Sequence, residues 1–481
     1  MTNVDGAPRF PLPDSWFDLC NGPYAGNYTY GGNPTYPGYN RLFGTGRIGS
    51  DDDYHIDFFN QHILDIHGPY VSYQDIKDEW TEHYPHDRGA GFVGMALMKN
   101  PGLLPPFTGL RKFGNKYYWC TEPYIENDTL GMAAPGMPNT AASLAEKFGS
   151  VTGDFDGIIW AKFLAAMYSL AYVETDIVDV VDKASEVIPR NSWPYSVYQK
   201  CKELYQQDTD DWRWAVTELE KIKRNVHESD NVQTLTDVNN GFTILALLYG
   251  ENDYLETCKI ASLAGYDGDC NAATATGILG IMKGMSGTPQ KVKDVIYANG
   301  YGVYVNDLET GFDPYIKLNY PREQTLDDLA RLYQRNAEDQ IIANGGSIDS
   351  ENYYINVQTV VQPEVVEISN YDFEKGSLAG WSKWTTVPDT THITAENNPN
   401  AHSGEWNGKV VTDETVNEGK LYVQLSGLEV GARYRVKAYL MCANGKQARL
   451  YAENYGGPYI YTSIYLYFNQ FKSGLLGGED P

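Results

Sequence analysis

The sequence predicts two domains, a mostly α-helical domain followed by an all-β sandwich. Its 481 residues exceed the length of one ordinary domain. Apolar residues recur at helical spacing from Tyr54 to about residue 345, and short alternating runs punctuated by Gly and Asn follow after about residue 350. We therefore expect a helical domain over 1–348, a linker over 349–365 and a β-sandwich over 366–481.

The helical pattern begins with Ile56, Phe59 and Ile63, after a loop-like segment, 1–49, that is rich in Gly, Pro, Asn and Tyr. Recurring apolar positions predict later helices at about 139–147, 157–173, 175–187, 212–223, 238–249, 253–263, 271–284 and 324–343. A strand-like run at 353–361 closes this half.

Charge and cysteine usage narrow the classes of partner. Asp and Glu number 63 against 37 Lys and Arg, a net charge of −26. Because such a field repels a phosphate backbone, we expect no nucleic-acid partner. The sequence contains no run of about 18 apolar residues, so it predicts no membrane span. The six Cys residues form no CxxC pair, so neither a zinc ribbon nor a disulfide framework is indicated.

Two acidic clusters each precede a predicted helix. The first is the Ser-Asp-Asp-Asp run 50–53, and the second is the Gly-Tyr-Asp-Gly-Asp-Cys-Asn run 265–271. Helix capping explains one short polar side chain at such a position. Adjacent carboxylates repel one another, however, and a hard divalent cation with oxygen ligands neutralises that repulsion. The residues alone leave capping and metal binding both open.

Five segments in order resemble the ADP-ribosylglycohydrolase family. They are the two acidic motifs, the Gly-Met-Ala-Ala-Pro-Gly segment from Gly131, the Ser-Val-Thr-Gly-Asp-Phe-Asp-Gly segment 150–157 and the Asn-Gly-Phe segment from Asn240. The resemblance covers about residues 48–290. It implies an orthogonal helical domain whose acidic motifs converge on a metal centre, commonly binuclear, that hydrolyses a glycosidic bond.

The resemblance also implies roles for single residues. The implied ions are one or two Mg²⁺ or Mn²⁺, and their ligands would be Ser50, Asp51, Asp52, Asp267 and Asp269. Residues implied in catalysis are Asp52, Asp267 and Asp154, and residues implied in substrate contact are His55, Asp156 and Asn271. A structural role for His55, and loop capping by Asp154 and Asp156, remain alternatives.

The sequence departs from the family at three points. Cys270 stands where the family often has a Thr hydroxyl on the metal, and a thiol is a poor Mg²⁺ ligand. We therefore expect a loosely held ion, a softer ion such as Mn²⁺, or no ion at that position. Gly153 replaces a family His, and no Glu precedes Glu79 to match the family's first helix and flap. We expect the natural chain to begin further upstream, with an aromatic Gly-rich loop in place of that helix as the alternative.

The C-terminal part resembles carbohydrate-binding β-sandwich modules over about residues 366–456, beginning with the Asn-Tyr-Asp-Phe-Glu-Lys-Gly run 370–376 and Trp381. This resemblance implies an optional structural Ca²⁺ near Glu374. Candidate sugar-stacking residues are Trp384, Trp406, Tyr455 and Tyr459. We expect an extracellular, periplasmic or cell-surface protein, although the Met1–Leu12 segment lacks a signal-peptide pattern.

Three functions fit these observations. The attached module favours hydrolysis of a glycosidic bond in a polysaccharide or glycoconjugate. The family resemblance also fits hydrolysis of an ADP-ribosyl conjugate. The third function, glycan binding without catalysis, follows if the unmatched Glu reflects the natural protein.

Overall fold

The structure is a computed structural model, and the chain divides into two compact units, Met1–Glu364 and Val365–Pro481. The residues that it describes are 47–49, 52–84, 89–99, 102–110, 113–118, 120–125, 128–154, 156–221, 236–297, 303–305, 323–363, 368–387, 391–398, 405–414, 416, 418–425, 436–440, 448–452, 460–464 and 472–476.

The described part of the first unit is mainly helical. Its α-helices are α1 (Asp52–His67), α2 (Tyr73–His83), α3 (Gly89–Met98), α4 (Glu122–Ile125), α5 (Pro138–Gly149), α6 (Asp156–Leu170), α7 (Ile177–Ala184), α8 (Trp193–Gln207), α9 (Trp212–Glu220), α10 (Thr236–Tyr249), α11 (Tyr254–Ala264), α12 (Gly268–Gly287), α13 (Gln290–Ile296) and α14 (Leu326–Ala343). Its short 3₁₀ helices are Phe107–Gly109, Asp128–Ala133 and Ser185–Val187.

Short strands accompany these helices. β1 (Arg47–Gly49) pairs in parallel with β2 (Val303–Val305), which pairs antiparallel with β3 (Glu323–Thr325). β4 (Ser347–Ile348) and β5 (Tyr353–Tyr354) form a separate antiparallel pair. β1 ends directly before the first acidic motif, so this small sheet lies next to that motif in the chain.

Helices α6 and α10 form the centre of the main core. Every residue of α10 is buried, and in α6 every residue except Asp156 and Lys162 is buried. A helix that is apolar all round belongs inside a protein rather than at its surface. Lys162 forms an ion pair with Glu146 of α5 at 2.6 Å, which places the one basic residue of α6 at the edge of the core.

A second core cluster packs α1 against α2 and α3. Phe59 and Ile63 of α1 are fully buried, and the Phe59 ring meets the Trp80 ring of α2 edge to face at 5.8 Å between centroids. A capping box between Ser72 and Asp75 starts α2 and satisfies two backbone N–H groups. The side of α1 that carries Phe59 and Ile63 is therefore fixed by packing.

The 3₁₀ helix Asp128–Ala133 runs unusually close to α6. A Cβ atom added at Gly131 would lie 2.2 Å from the carbonyl oxygen of Ala165 and 2.5 Å from Cβ of Tyr168. Only glycine allows this approach between two backbones. The Gly131 position therefore sets how closely residues 128–133 approach the core.

Residues 355–361, which the sequence analysis assigns to a linker, pack on the helical unit. Oε1 of Gln358 accepts hydrogen bonds from the backbone N–H groups of Asn139 and Thr140, at 3.1 and 3.2 Å. Both N–H groups belong to the first turn of α5. The side chain of the N-cap residue of this helix accepts no hydrogen bond from them. A long-range contact thus replaces a local helix cap. Of the strand expected at 353–361, only Tyr353–Tyr354 forms.

The second unit contains β6 (Ser382–Thr385), β7 (Ile393–Asn397), β8 (Trp406–Val410), β9 (Gly419–Tyr422), β10 (Val436–Leu440), β11 (Ala448–Ala452), β12 (Ile460–Ile464) and β13 (Lys472–Leu476). Antiparallel hydrogen bonding joins them as the pairs β6–β9, β7–β8, β10–β13 and β11–β12. Strands are therefore confirmed in this unit, but across its described residues they pair only two by two, and a β-sandwich is not confirmed.

The opening of the second unit is a compact turn. Phe373 and Trp381 pack ring against ring at 5.1 Å, and the indole N–H of Trp381 donates to the carbonyl oxygen of Asn370. The Glu374 carboxylate accepts hydrogen bonds from the backbone N–H groups of Glu405 and Trp406. Glu374 therefore ties this turn to the start of β8.

The helical character predicted for the first unit is confirmed, but α2, α3, α4, α8 and α13 were not predicted. Helix α8 follows a Ser192 N-cap and has Pro194 in its first turn, both typical helix-start signals. Its buried residues Val197, Cys201 and Leu204 also follow helical spacing. The signal was present in the sequence, between two segments that were predicted to be helices.

Replacing Gly131 by alanine is expected to destabilise the first unit by about 2 kcal/mol or more, because the new Cβ collides with backbone rather than with a flexible side chain. Gly280→Ala, in the interior of α12 where an added Cβ meets nothing within 4 Å, should instead stabilise by about 0.5–1 kcal/mol. Urea unfolding followed by circular dichroism measures both. Equal effects of the two substitutions would contradict the close approach.

Candidate metal centre

A sharp turn places the second acidic motif at the start of α12. After α11 ends at Ala264, Gly265 and Tyr266 both adopt positive φ, 86° and 61°. Such a conformation is unfavourable for Tyr and must be compensated. The Tyr266 hydroxyl donates to a Glu220 carboxylate oxygen at 2.7 Å, and its ring packs against Phe242. These two contacts hold the turn that presents Asp267.

Asp267 occupies the N-cap position of α12, but its carboxylate makes no capping hydrogen bond. Its side chain is buried, and its backbone N–H donates to Oδ1 of Asn239 at 3.0 Å. The same oxygen accepts from the Asn271 side-chain amide at 2.9 Å. Asn239 of α10 is fully buried. One amide from the core therefore holds both ends of the Asp267–Asn271 segment.

Three potential ligands meet at this helix start. The carboxylate oxygens of Asp267 and Asp269 and the thiol sulfur of Cys270 lie within 4.8 Å of one another. Asp267 is buried, Asp269 is exposed and Cys270 is partly exposed. Carboxylate oxygens are preferred ligands of Mg²⁺, Mn²⁺ and Ca²⁺, whereas the thiolate suits softer ions. The donor set fits one divalent cation, with Cys270 favouring Mn²⁺ over Mg²⁺.

The first acidic motif lies at the start of α1. Ser50 and Asp51 lie outside the described residues. Asp52 is the first residue of α1 and His55 lies in its first turn, but only the backbone is described at both positions. The ligand and substrate roles that the sequence analysis gave these four residues therefore stay predictions.

Two adjacent residues, Asp128 and Thr129, join the helices that carry the two acidic motifs. The Thr129 hydroxyl donates to Oδ1 of Asp57 in α1 at 2.6 Å. The Asp128 carboxylate accepts from the Thr274 hydroxyl of α12 at 2.7 Å. All four side chains are buried. We call this pair of hydrogen bonds the Asp128–Thr129 tie.

The tie is the same number of residues from the acidic motif in both helices. Asp57 follows Asp52 by five residues, and Thr274 follows Asp269 by five residues. At a rise of about 1.5 Å per residue, each acidic residue is therefore about 7.5 Å along its helix from the tie. Asp52 and Asp269 are therefore each about one and a half helical turns from the tie.

Burial favours the neutral form of the Asp128 carboxyl in the tie. Loss of solvent is the largest influence on Asp128 and raises the pKa of its carboxyl to about 7, against the lowering effect of hydrogen bonds from Thr274 and Thr129. Burial and the nearby Asp128 and Asp57 carboxyls raise the pKa of Tyr168 well above its usual value. The Tyr168 hydroxyl donates to the Thr274 carbonyl oxygen at 3.3 Å and stays neutral.

The other predicted site residues lie in different surroundings. Asp154 is partly exposed, and its backbone N–H donates to the carbonyl oxygen of Tyr118. Asp156 is partly exposed at the start of α6. Asn271 is buried with its amide on Asn239, which is a positioning contact. The catalytic role of Asp154 and the substrate role of Asp156 stay predictions.

Sequence reasoning missed Asp57, Asp128, Thr129, Asn239 and Thr274. Asp57 and Thr274 each lie inside a predicted helix on a buried face, where a polar side chain needs a partner. That is a usable signal for a buried contact, but not for the identity of the partner. Asp128 and Thr129 lie 146 and 72 positions from the residues that they contact, in a segment for which no helix was predicted.

A mainly helical unit with an acidic cluster at the start of α12 fits the class of metal-dependent hydrolases. The chain belongs to the ADP-ribosylglycohydrolase family, whose sequence model matches residues 46–338. The family is hydrolytic, acts on ADP-ribosylated substrates and is typically dependent on divalent metal ions. No curated protein matches the chain. Among the described helices, none is both long and apolar enough to span a membrane.

Substituting Asn239 by alanine should weaken Mn²⁺ binding by about 10- to 100-fold, because its side-chain oxygen accepts the hydrogen bonds that position Asp267 and Asn271. The neighbouring Asn240→Ala is the control, since the described contact of Asn240 is with Thr236 in its own helix. Calorimetric titration with Mn²⁺ measures both. Equal weakening in the two variants would show a general loss of stability instead.

The raised pKa of Asp128 predicts a pH-dependent stability. The carboxyl is protonated in the folded chain up to about pH 7, whereas an unfolded Asp ionises near pH 4. Its contribution is therefore fully present below about pH 4 and is lost as pH rises to about 7, by on the order of 4 kcal/mol. Asp128→Asn should remove this dependence. Urea unfolding from pH 4 to 8 checks it, and an unchanged slope in Asp128→Asn would contradict it.

Proposed function

We propose that this protein hydrolyses the glycosidic bond of an ADP-ribosyl conjugate at a divalent cation held between its two acidic motifs. The observation that carries the proposal is the Asp128–Thr129 tie, which fixes α1 and α12 to one short segment. Membership of the ADP-ribosylglycohydrolase family supports the reaction class.

The proposed ligands are Asp267 and Asp269 from the second motif, with Ser50, Asp51 and Asp52 from the first. Asp267 supports this role because it is buried and its carboxylate lies within 4.8 Å of the potential ligand atoms of Asp269 and Cys270. Mg²⁺ or Mn²⁺ is the proposed ion. A cation bound there would supply Lewis acidity toward the sugar hydroxyls and the attacking water.

The residues of the chain would bind and orient the substrate. The positive end of α12 lies beside Asp267 and favours an anionic group such as a phosphate of ADP-ribose, once a cation offsets the carboxylates. Proposed catalytic residues are Asp52, Asp267 and Asp154. His55 and Asp156 are proposed to contact substrate, while Asn271 would act through Asn239 by holding Asp267 in place.

A glycan is the second candidate substrate, and one feature of the second unit favours it. In the β6–β9 pair, Ser382 lies opposite Tyr422 and Trp384 lies opposite Lys420. Trp384 and Tyr422 therefore share one face of the pair, and both rings are exposed, 42% and 47%. Flat exposed rings of this kind stack on sugars. The β-sandwich resemblance that first favoured this candidate is not confirmed.

The test uses the full chain, freed of metal by chelation, with an ADP-ribosylated protein and a panel of polysaccharides as substrates. We expect ADP-ribose release that requires Mg²⁺ or Mn²⁺ and stops on chelation. Asp267→Asn should lower kcat/KM by about 10²-fold or more, because it removes a charge at the reacting centre.

Asp253→Asn is the matched control. Asp253 is the N-cap of α11 and accepts from the Glu256 N–H, a contact that Asn can also make. It removes one carboxylate charge at a helix start without touching the proposed site, so activity should persist. Metal-independent release, or full activity in Asp267→Asn, would overturn the proposal. Sugar release from a polysaccharide instead would establish the second candidate, and glycan binding without turnover would support a non-catalytic protein.

A further inference from the structure

A histidine-rich cluster lies between α1 and α2, on the part of α1 away from the acidic motif. The Glu79 carboxylate of α2 is its centre. Nε2 of His62 lies 3.2 Å from Oε2 of Glu79, and Nε2 of His83 lies 3.3 Å from the same oxygen. The three side chains are mostly buried, with exposed fractions of 9% for His62, 12% for Glu79 and 15% for His83.

The distances suit a shared metal ion. Ligands about 2.0–2.1 Å from Zn²⁺ at the corners of a tetrahedron lie about 3.3 Å from one another. Both His–Glu separations match this value. All three ligand atoms lie within 4.8 Å of one another.

A further histidine, His67, contacts the other side of the Glu79 carboxylate. The other Glu79 oxygen, Oε1, lies 2.7 Å from Nε2 of His67, and Nδ1 of His67 lies 3.6 Å from Asp75. In metal sites a ligating carboxylate is held by such outer hydrogen bonds, which fix its orientation. Phe59 stacks on the His62 ring, so one side of the cluster is apolar.

Hydrogen bonding alone is the simpler explanation of the cluster. It requires the imidazole N–H groups of His62 and His83 to donate to the same Glu79 oxygen, while the second Glu79 oxygen already faces His67. A cation at the centre removes this requirement because His62 and His83 then present lone pairs. The two explanations differ in one measurable property, which is the affinity of the cluster for a transition metal.

We propose that His62, Glu79 and His83 bind one transition-metal ion of the Zn²⁺ type, which fastens α1 to α2. Two imidazoles and one carboxylate suit Zn²⁺ and Co²⁺, whereas Mg²⁺ prefers oxygen ligands only. The site is separate from the acidic centre, since His62 follows Asp52 by ten residues of α1, about 15 Å along the helix. The proposal is therefore independent of the proposed catalytic function.

The test is a titration of the metal-free full chain with Co²⁺ in the presence of excess Mg²⁺, which occupies oxygen sites. We expect one equivalent of Co²⁺ to bind with the intense visible absorption of a low-coordinate, nitrogen-containing site, and Zn²⁺ to displace it. Glu79→Gln keeps the shape and size of the side chain but removes its charge, and should lower Co²⁺ affinity at least 100-fold. The double variant His62→Gln with His83→Gln should abolish the absorption.

Two controls separate this site from others. His392→Gln removes an imidazole that also pairs with a carboxylate, Asp413, in the second unit, and should leave Co²⁺ binding unchanged. Asp267→Asn with Asp269→Asn should also leave the absorption unchanged. Circular dichroism of each metal-free variant confirms that it is folded. Absence of the absorption in the unaltered chain, or its survival in folded Glu79→Gln and in the double variant, would overturn the proposal.

Discussion

The helical unit depends on a contact between a short 3₁₀ segment and two helices. Asp128 and Thr129 are neighbours in the chain, yet one bonds to α12 and the other to α1. Because both hydrogen bonds are buried, each group would be costly to leave without a partner. The tie therefore specifies one arrangement of the helices that begin at the acidic motifs. The proposed joint metal site of the two motifs depends on that arrangement.

The tie is possible only because the surrounding core is tightly packed. Gly131 lets the 3₁₀ segment approach the backbone of α6, and α6 itself is buried on nearly every side. The buried Asp128 carboxyl is stabilised in its neutral form, with a pKa raised to about 7 by loss of solvent. Below about pH 7 the protonated Asp128 adds no further negative charge beside the two motifs, which are already acidic.

Helix α1 links several features of the first unit. Its start carries the first acidic motif, Asp57 joins the tie, and His62 belongs to the cluster around Glu79. On another side, Asp65 forms a two-point ion pair with Arg335 of α14, at 2.8 and 3.1 Å. The proposed oxygen ligands at the helix start and the proposed nitrogen ligand ten residues later suit different ions, so α1 is proposed to contribute to two chemically distinct sites.

Local pattern predicted the elements but not their partners. The buried helices α6 and α10 were expected at 157–173 and 238–249, because apolar residues at helical spacing specify a helix before any packing occurs. The strands of the second unit follow from alternation in the same way. Alternation carries no information on which strand pairs with which. Among the described residues the strands form four antiparallel pairs, and the expected sandwich is not confirmed.

The sequence by itself determined the helical class, the family and the acidic residues at two helix starts, because these depend on local spacing and on residue type. Tertiary structure alone decided that Asn239 holds Asp267, that Asp128 and Thr129 join α12 to α1, and that Gln358 caps α5. These contacts join residues 28 to 219 positions apart. Burying a polar group without a partner is costly, but any suitable partner can provide the hydrogen bond. Only the packed chain therefore determines which partner does so.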